Sequence, residues 1–322
     1  MEIELRPLSA GEVLDRTFQL FRARFGMFVG IAVLAAGIQT AWAAVQTILM
    51  RHLVGHTRVP AAAGIWSSAS SLVSILIALL AFALVFAAIA RAVVALHLGQ
   101  PTGITRSYQD VWRHWLRYVC LSVVAGFLSM WPLLIVIGMF GAEIALAPHY
   151  TSLGSARIAT MAFGFTFLEM LVATPLCIWL LCRYALSNAA CVVEDLKVRA
   201  SIRRSVSLSK GSRGRIFLLL LVVYVISLIL TLVVQMPMLT AVFRASMHHQ
   251  TQIPLWATLY GLTAGFIVNS FITPIYGVGL AVIYLDARIR KEGYDIELLM
   301  QRSAAEGHPA PPAADTAQFA SE

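Results

Sequence analysis

"LSAGEVLDRTFQLFRARFG" (Leu8–Gly26) runs directly into "MFVGIAVLAAG" (Met27–Gly37). The first stretch is basic and aromatic; the second is purely apolar. Ser9 and Glu12 form the S-x-x-E pattern of a capping box, which satisfies the first free amides of a helix. Leu8 and Val13 flank it as a hydrophobic staple. Beyond the cap, Leu14, Phe18, Phe21 and Phe25 recur at i, i+4, i+7 and i+11, one stripe of a helix. Arg16, Gln19, Arg22 and Arg24 fall mostly off that stripe. The spacing predicts a helix at a membrane surface, with aromatics in the acyl boundary and guanidiniums among lipid phosphates.

The rest of the chain supplies that membrane. Its 322 residues are 59% hydrophobic and 12% charged, with a mean hydropathy of +0.79. Soluble domains carry about twice that share of charge. Six segments are long and apolar enough to span a bilayer: Met27–Met50, Ser71–Leu98, Tyr118–Leu146, Ile158–Leu186, Ile216–Phe243 and Leu255–Leu285. The runs are continuous rather than alternating, which excludes a strand barrel. Expected is an all-α polytopic membrane helix bundle, occupying residues 1–302. The tail from Ser303, rich in Ala and Pro, reads as disordered (303–322).

A net charge of +8 could suggest nucleic acid, but its distribution points elsewhere. Twenty of the 24 Lys and Arg fall on one set of loops and ends; only Arg51, Arg58, Arg157 and Arg244 fall on the other. By the positive-inside rule this places both termini and the long basic loops in the cytoplasm. No nucleic acid partner is needed. The acidic residues near the start and the lack of a short apolar core with a cleavage site argue against a signal peptide. Cys120, Cys177, Cys182 and Cys191 lie in or beside apolar runs without metal-ligand spacing and read as small hydrophobes.

The opening pattern returns twice. In "ITRSYQDVWRHWLRYV" (from Ile104), Ile104, Tyr108, Val111 and Trp115 keep the same stripe, and Arg106-Ser107 stands in the place of Arg16-Thr17. In "VRASIRRSVSLSKGSRGRI" (from Val198), Val198, Ile202 and Val206 form the stripe, Arg204-Ser205 takes the pair's place, and Gly211 ends the helix. Two spans follow each copy. The sequence thus reads as a threefold internal repeat with units 8–98, 102–186 and 195–285. Each unit holds one cytoplasmic interfacial amphipathic helix and two spans. Thr174-Pro175 and Thr273-Pro274 echo one another in the fourth and sixth spans.

Glu169 is the one acidic residue deep inside a span, and an ionisable group at such depth is a functional candidate. With Thr174, Asn269 and Thr273 it makes up a candidate intramembrane polar site, lining a cavity at the proline kinks. Arg91 reads as a snorkelling side chain, with a pairing to Glu169 as the alternative. His52 and His56, and His248-His249, give only a weak metal signal, so no metal ligand is assigned. Arg16, Arg22, Arg24, Arg106, Arg113, Arg199, Arg203 and Arg204 are the candidate contacts for anionic lipid. There is no phosphate-cradling glycine loop, nucleophile elbow, HExxH or close carboxylate pair. No catalytic residue and no cofactor is assigned.

"RPLSAGEVLDRTFQLFRARFG" at the start and "AVIYLDARIRKEGYDIELL" (Ala281–Leu299) near the end resemble the bacterial membrane domain associated with glycerophosphoryl diester phosphodiesterase; "VVEDLKVRASIRRSVSLSKG" matches more loosely. In that family the domain is sometimes fused to a soluble catalytic barrel, which this chain lacks. The resemblance implies a stand-alone module of the bacterial inner membrane and transfers no catalytic residue. The expected function is non-enzymatic. The partners would be the phospholipid bilayer, anionic lipid headgroups, and a membrane or cytoplasmic protein anchored there. The alternative is a small transporter or lipid translocator with a polar cavity around Glu169 and Asn269.

Overall fold

The computed structural model describes residues 9–56, 60–100, 102–146, 155–247 and 254–292, with side chains for 9–52, 69–100, 102–142, 164–247 and 254–292. Leu8, the side chain of His56, His248, His249, the end of the family-like stretch past Glu292 and the tail 303–322 lie outside the described residues. The described residues form ten helices: α1 (Ala10–Ala23), α2 (Phe25–His56), α3 (Pro60–His97), α4 (Ile104–Trp112), α5 (Trp115–Leu146), α6 (Ser155–Tyr184), α7 (Ser187–Val193), α8 (Val198–Ser209), α9 (Arg213–Met247) and α10 (Leu255–Glu292). Six are long and apolar enough to cross a membrane: α2, α3, α5, α6 with α7, α9 and α10. The chain is a multi-pass, all-α membrane bundle.

The capping box forms as expected. Ser9 Oγ accepts from the Glu12 amide, and the Glu12 carboxylate accepts from the Ser9 amide. The buried stripe of α1 is rotated from the expected one. Val13, Thr17 and Phe21 are buried, while Phe18 and Phe25 are exposed. The reason is that α1 packs on protein, against α10 with lesser contacts to α9 and α2. A helix pressed onto another helix buries its small residues, since they permit close approach. Thr17 is fully buried, and its hydroxyl donates back to Val13 O at 2.7 Å.

The other two amphipathic helices dock in the same way. In α4, Ser107 and Val111 are buried, Ile104 and Tyr108 pack on the core, and Trp112 is exposed. In α8, Ser201, Ser205, Leu208 and Ser209 are buried, with Val198 and Ile202 against the core. The residues that stand in register, Thr17, Ser107 and Ser205, are all buried with their hydroxyls hydrogen-bonded to backbone carbonyls. Gly211 adopts a left-handed φ of +83° just after α8 ends.

With the chain divided into the three sequence units, the packing runs in a ring. Within units, α2 packs on α3, α5 on α6 and α9 on α10. Between units, α4 docks on α3, α8 on α6 and α1 on α10, so each amphipathic helix covers the last span of the unit before it. The ring is uneven, because α7 has no counterpart. It follows a break at Ala185–Leu186 and packs on α3, α5, α8 and α10.

The core lies in the half of the bundle where these helices dock, the basic side. It is built from α1, the end of α3, α7 and the second half of α10, where Ile275 to Ala287 is almost wholly buried. The opposite halves of the spans expose Ile48, Ile137, Phe167, Val233 and Leu259, as a lipid-facing surface does. Lipid gives helices little reason to associate through greasy surface alone, so small residues that allow close approach carry the packing. A Cβ on Gly277 of α10 would meet Ile89 of α3 at 2.9 Å, and one on Gly279 would meet Leu219 of α9 at 2.6 Å. Gly30 of α2 is likewise pressed against Ile104 of α4. The prolines at 132, 175, 237 and 274 sit inside continuous helices.

Candidate functional site

The docked helices turn their basic residues away from the core. Arg22, Arg24, Arg106, Arg113, Arg199 and Arg203 are exposed and Arg16 is half-buried. They follow from the amphipathic spacing: with Thr17, Ser107 and Ser205 inward, their neighbours face out. Arg204 is the exception. Its guanidinium reaches Glu194 at the end of α7 (2.9 Å) and Glu292 at the end of α10. Burial works against its charge, but the bonds to Glu292 and Glu194 outweigh that and hold it protonated above the usual arginine range. Arg204 is therefore structural, and the other seven arginines remain candidate lipid contacts.

Arg204 belongs to a charged network that sequence reading missed. Glu194 also accepts from the Tyr284 hydroxyl and lies 3.7 Å from Arg288. Arg288 reaches Glu292 at 3.3 Å. Asp286, almost fully buried, pairs with Arg215 of α9 and with Arg290 one turn along α10. Lys291 Nζ donates to Ser207 O and Lys210 O. The signal was "YLDARIRKE", where an acidic residue closes a long apolar run and basic residues follow at once. The partners of these α10 side chains outside their own helix lie 71 to 94 residues away in the chain and could not be paired by spacing.

Tyr108 ties α4 down. Its hydroxyl donates to Ile31 O of α2 at 2.7 Å, and burial pushes its pKa up to about 12. Arg91 does not pair with Glu169. It lies 3.9 Å from Asp110 and reaches Val192 O at 3.5 Å. With Arg106, Ser107 and Gln100 it lines a cleft of about 240 Å³ between α3 and α4.

The intramembrane polar residues separate into two places. Asn269 and Thr273 line adjoining clefts of about 210 and 220 Å³ between α2, α3 and α10, where Gln39 joins them among Ala32, Ala36 and Gly265. Asn269 Nδ2 donates to Gly265 O. Glu169 and Thr174 are on α6, which packs on α5, α8 and α9 instead. Thr174 is exposed, and its hydroxyl donates back to Met170 O of its own helix. Glu169 is half-buried, with one carboxylate oxygen buried and without a partner among the described residues. The expected shared cavity around Glu169 and Asn269 does not form; Gln39, not Glu169, completes the polar cluster. Depth in a span was legible, but the direction each helix faces was not. Among the described residues no cluster of His, Cys, Asp and Glu is arranged to hold a metal.

No family model matches the chain, and no curated protein or solved structure is similar enough to match it.

Proposed function

We propose that this is a non-enzymatic module of a bacterial cytoplasmic membrane, with both termini cytoplasmic, that binds anionic lipid through its basic side. The observation that carries it is the ring of three docked amphipathic helices bearing Arg16, Arg22, Arg24, Arg106, Arg113, Arg199 and Arg203 outward. Each such residue near an anionic leaflet contributes on the order of 1 kcal/mol. Exposed Phe18, Phe25 and Trp112 lie among them and suit the acyl boundary. The likeness of both ends of the chain to the membrane domain associated with glycerophosphoryl diester phosphodiesterase supports a module of this kind. The same surface would serve to organise lipid or anchor a protein partner.

The test is the melting midpoint of the detergent-solubilised chain titrated with phosphatidylglycerol or phosphatidylcholine. Phosphatidylglycerol should raise it, phosphatidylcholine should not, and added salt should weaken the effect. Equal responses would refute the reading.

The clefts at Gln39, Asn269 and Thr273 favour a second reading, a small transporter or lipid translocator. Polar groups between packed apolar helices are what such proteins use at a substrate site. Flux into proteoliposomes that Asn269→Leu abolishes would favour it over the first reading.

A further inference from the structure

Each unit's second span carries an arginine toward its basic end: Arg91 in α3, Arg183 in α6 and Arg288 in α10. Two of them find an anion within the protein. Arg91 lies near Asp110, and Arg288 lies between Glu194 and Glu292. Arg183 has no carboxylate partner among the described residues. It is instead gathered with another cation. The Arg183 guanidinium lies 5.3 Å from the centre of the Trp179 ring, and the Arg213 guanidinium lies 5.0 Å from the same ring. Arg213 also lacks a carboxylate partner among the described residues. The Nε of both arginines is buried without an acceptor among the described residues.

This arrangement is costly as it stands. Two like charges gathered at one ring repel, and a buried guanidinium N–H without an acceptor loses its hydration. Arg213 also opens α9, at the positive end of that helix's dipole, where cations are disfavoured. Its neighbour Arg215 meets the same disadvantage but has Asp286 to offset it. The aromatic face compensates only in part, since a cation–π contact does not replace the lost hydrogen bonds. A phosphate bound beside the ring by both guanidiniums would offset these costs, because arginine's planar fork matches phosphate oxygens.

We propose that Trp179, Arg183 and Arg213, at the seam of α6 and α9, bind the phosphate of an anionic phospholipid. Exposed Leu176, Val172 and Leu168 lie three, seven and eleven residues before Trp179. They continue its helical face and give the acyl chains an apolar track. Trp179, itself 41% exposed, sits where that track meets the charged end. A soluble phosphate offers the same anion without the chains. The proposal rests on the wider reading of the protein as an anionic-lipid module, and it names one specific site.

Native mass spectrometry of the full chain in detergent, with added phosphatidylglycerol, tests it. One adduct should survive activation that strips the others. Arg183→Gln with Arg213→Gln should weaken that adduct about tenfold, as expected for losing charge-assisted bonds. Trp179→Leu should weaken it without altering charge, and Arg244→Gln, at the far end of α9, should leave it intact. Arg213→Gln alone serves if the double variant does not fold, and should shift affinity in the same direction. Unchanged affinity in these variants would overturn the proposal, as would equal retention of phosphatidylcholine. Displacement of the adduct by millimolar inorganic phosphate would overturn the lipid assignment in favour of a soluble anion. Failure of the wider reading looks different: one tight adduct would persist while the melting midpoint of the Arg183→Gln, Arg213→Gln protein ignored further phosphatidylglycerol.

Discussion

Asp286 sits almost fully buried in the basic-side core, with its carboxylate between Arg215 of α9 and Arg290 of its own helix. Replacing a buried pair by apolar residues can be neutral, but removing one partner leaves an uncompensated charge. Asp286→Asn strands Arg215, whose side chain is only 15% exposed. The expected loss is about 3 kcal/mol, read as a lower melting midpoint in detergent. Asp286→Asn combined with Arg215→Met should recover part of that loss.

The three buried hydroxyls give a second, graded prediction. Ser205→Ala removes the bond to Arg183 O but keeps the close approach of α8 to α6, and should cost about 1 kcal/mol. Ser205→Leu forces the helices apart and should cost about 1–3 kcal/mol. Thr17→Leu and Ser107→Leu should resemble it, because both side chains are buried in the equivalent contact. Limited proteolysis of the released amphipathic helix is an independent check. Equal effects of Ala and Leu at these positions would contradict the docking.

Glycines separate packing from propensity. Gly279→Ala must displace Leu219, and Gly277→Ala must displace Ile89, each at about 1–3 kcal/mol. Gly126→Ala meets nothing within 4 Å inside α5. It should leave the midpoint unchanged or raise it, since alanine is the better helix former.

Tyr108 makes the alkaline limb of stability informative. Its folded pKa is raised, so folding favours the protonated phenol. That contribution is fully present below the ordinary tyrosine value near 10. It is lost as pH rises from there toward about 12. Wild type should therefore lose stability more steeply than Tyr108→Phe over that window. Below about pH 10, Tyr108→Phe should be weaker by about 1 kcal/mol for the lost bond to Ile31 O.

Much of the fold was legible in the sequence because its signals are local. The Ser9–Glu12 cap, the six apolar runs and the Gly211 stop each need only neighbouring residues. The face each helix buries was less legible. In a membrane protein apolar residues meet lipid as well as protein, so the Leu14-Phe18-Phe21-Phe25 stripe could not say which side docks. The answer lay in Thr17, a small polar residue that suits close helix contact. The same limit separated Glu169 from Asn269: each is deep in a span, but their helices face different neighbours. Glu194, Tyr284 and Asp286 escaped notice because their partners are distant in the chain. Trp179 and Arg183 escaped for a related reason, since only the fold brings Arg213 to the same ring.

The central claim is that the basic side selects anionic lipid. The most direct measurement is the lipid composition of particles cut from native membranes with an amphipathic polymer, without detergent. The lipids around the wild-type chain should be enriched in anionic phospholipid over the bulk membrane. That enrichment should fall when Arg16, Arg22, Arg24, Arg106, Arg113, Arg199 and Arg203 are changed to Gln. A composition equal to the bulk membrane around the wild-type chain would contradict the account.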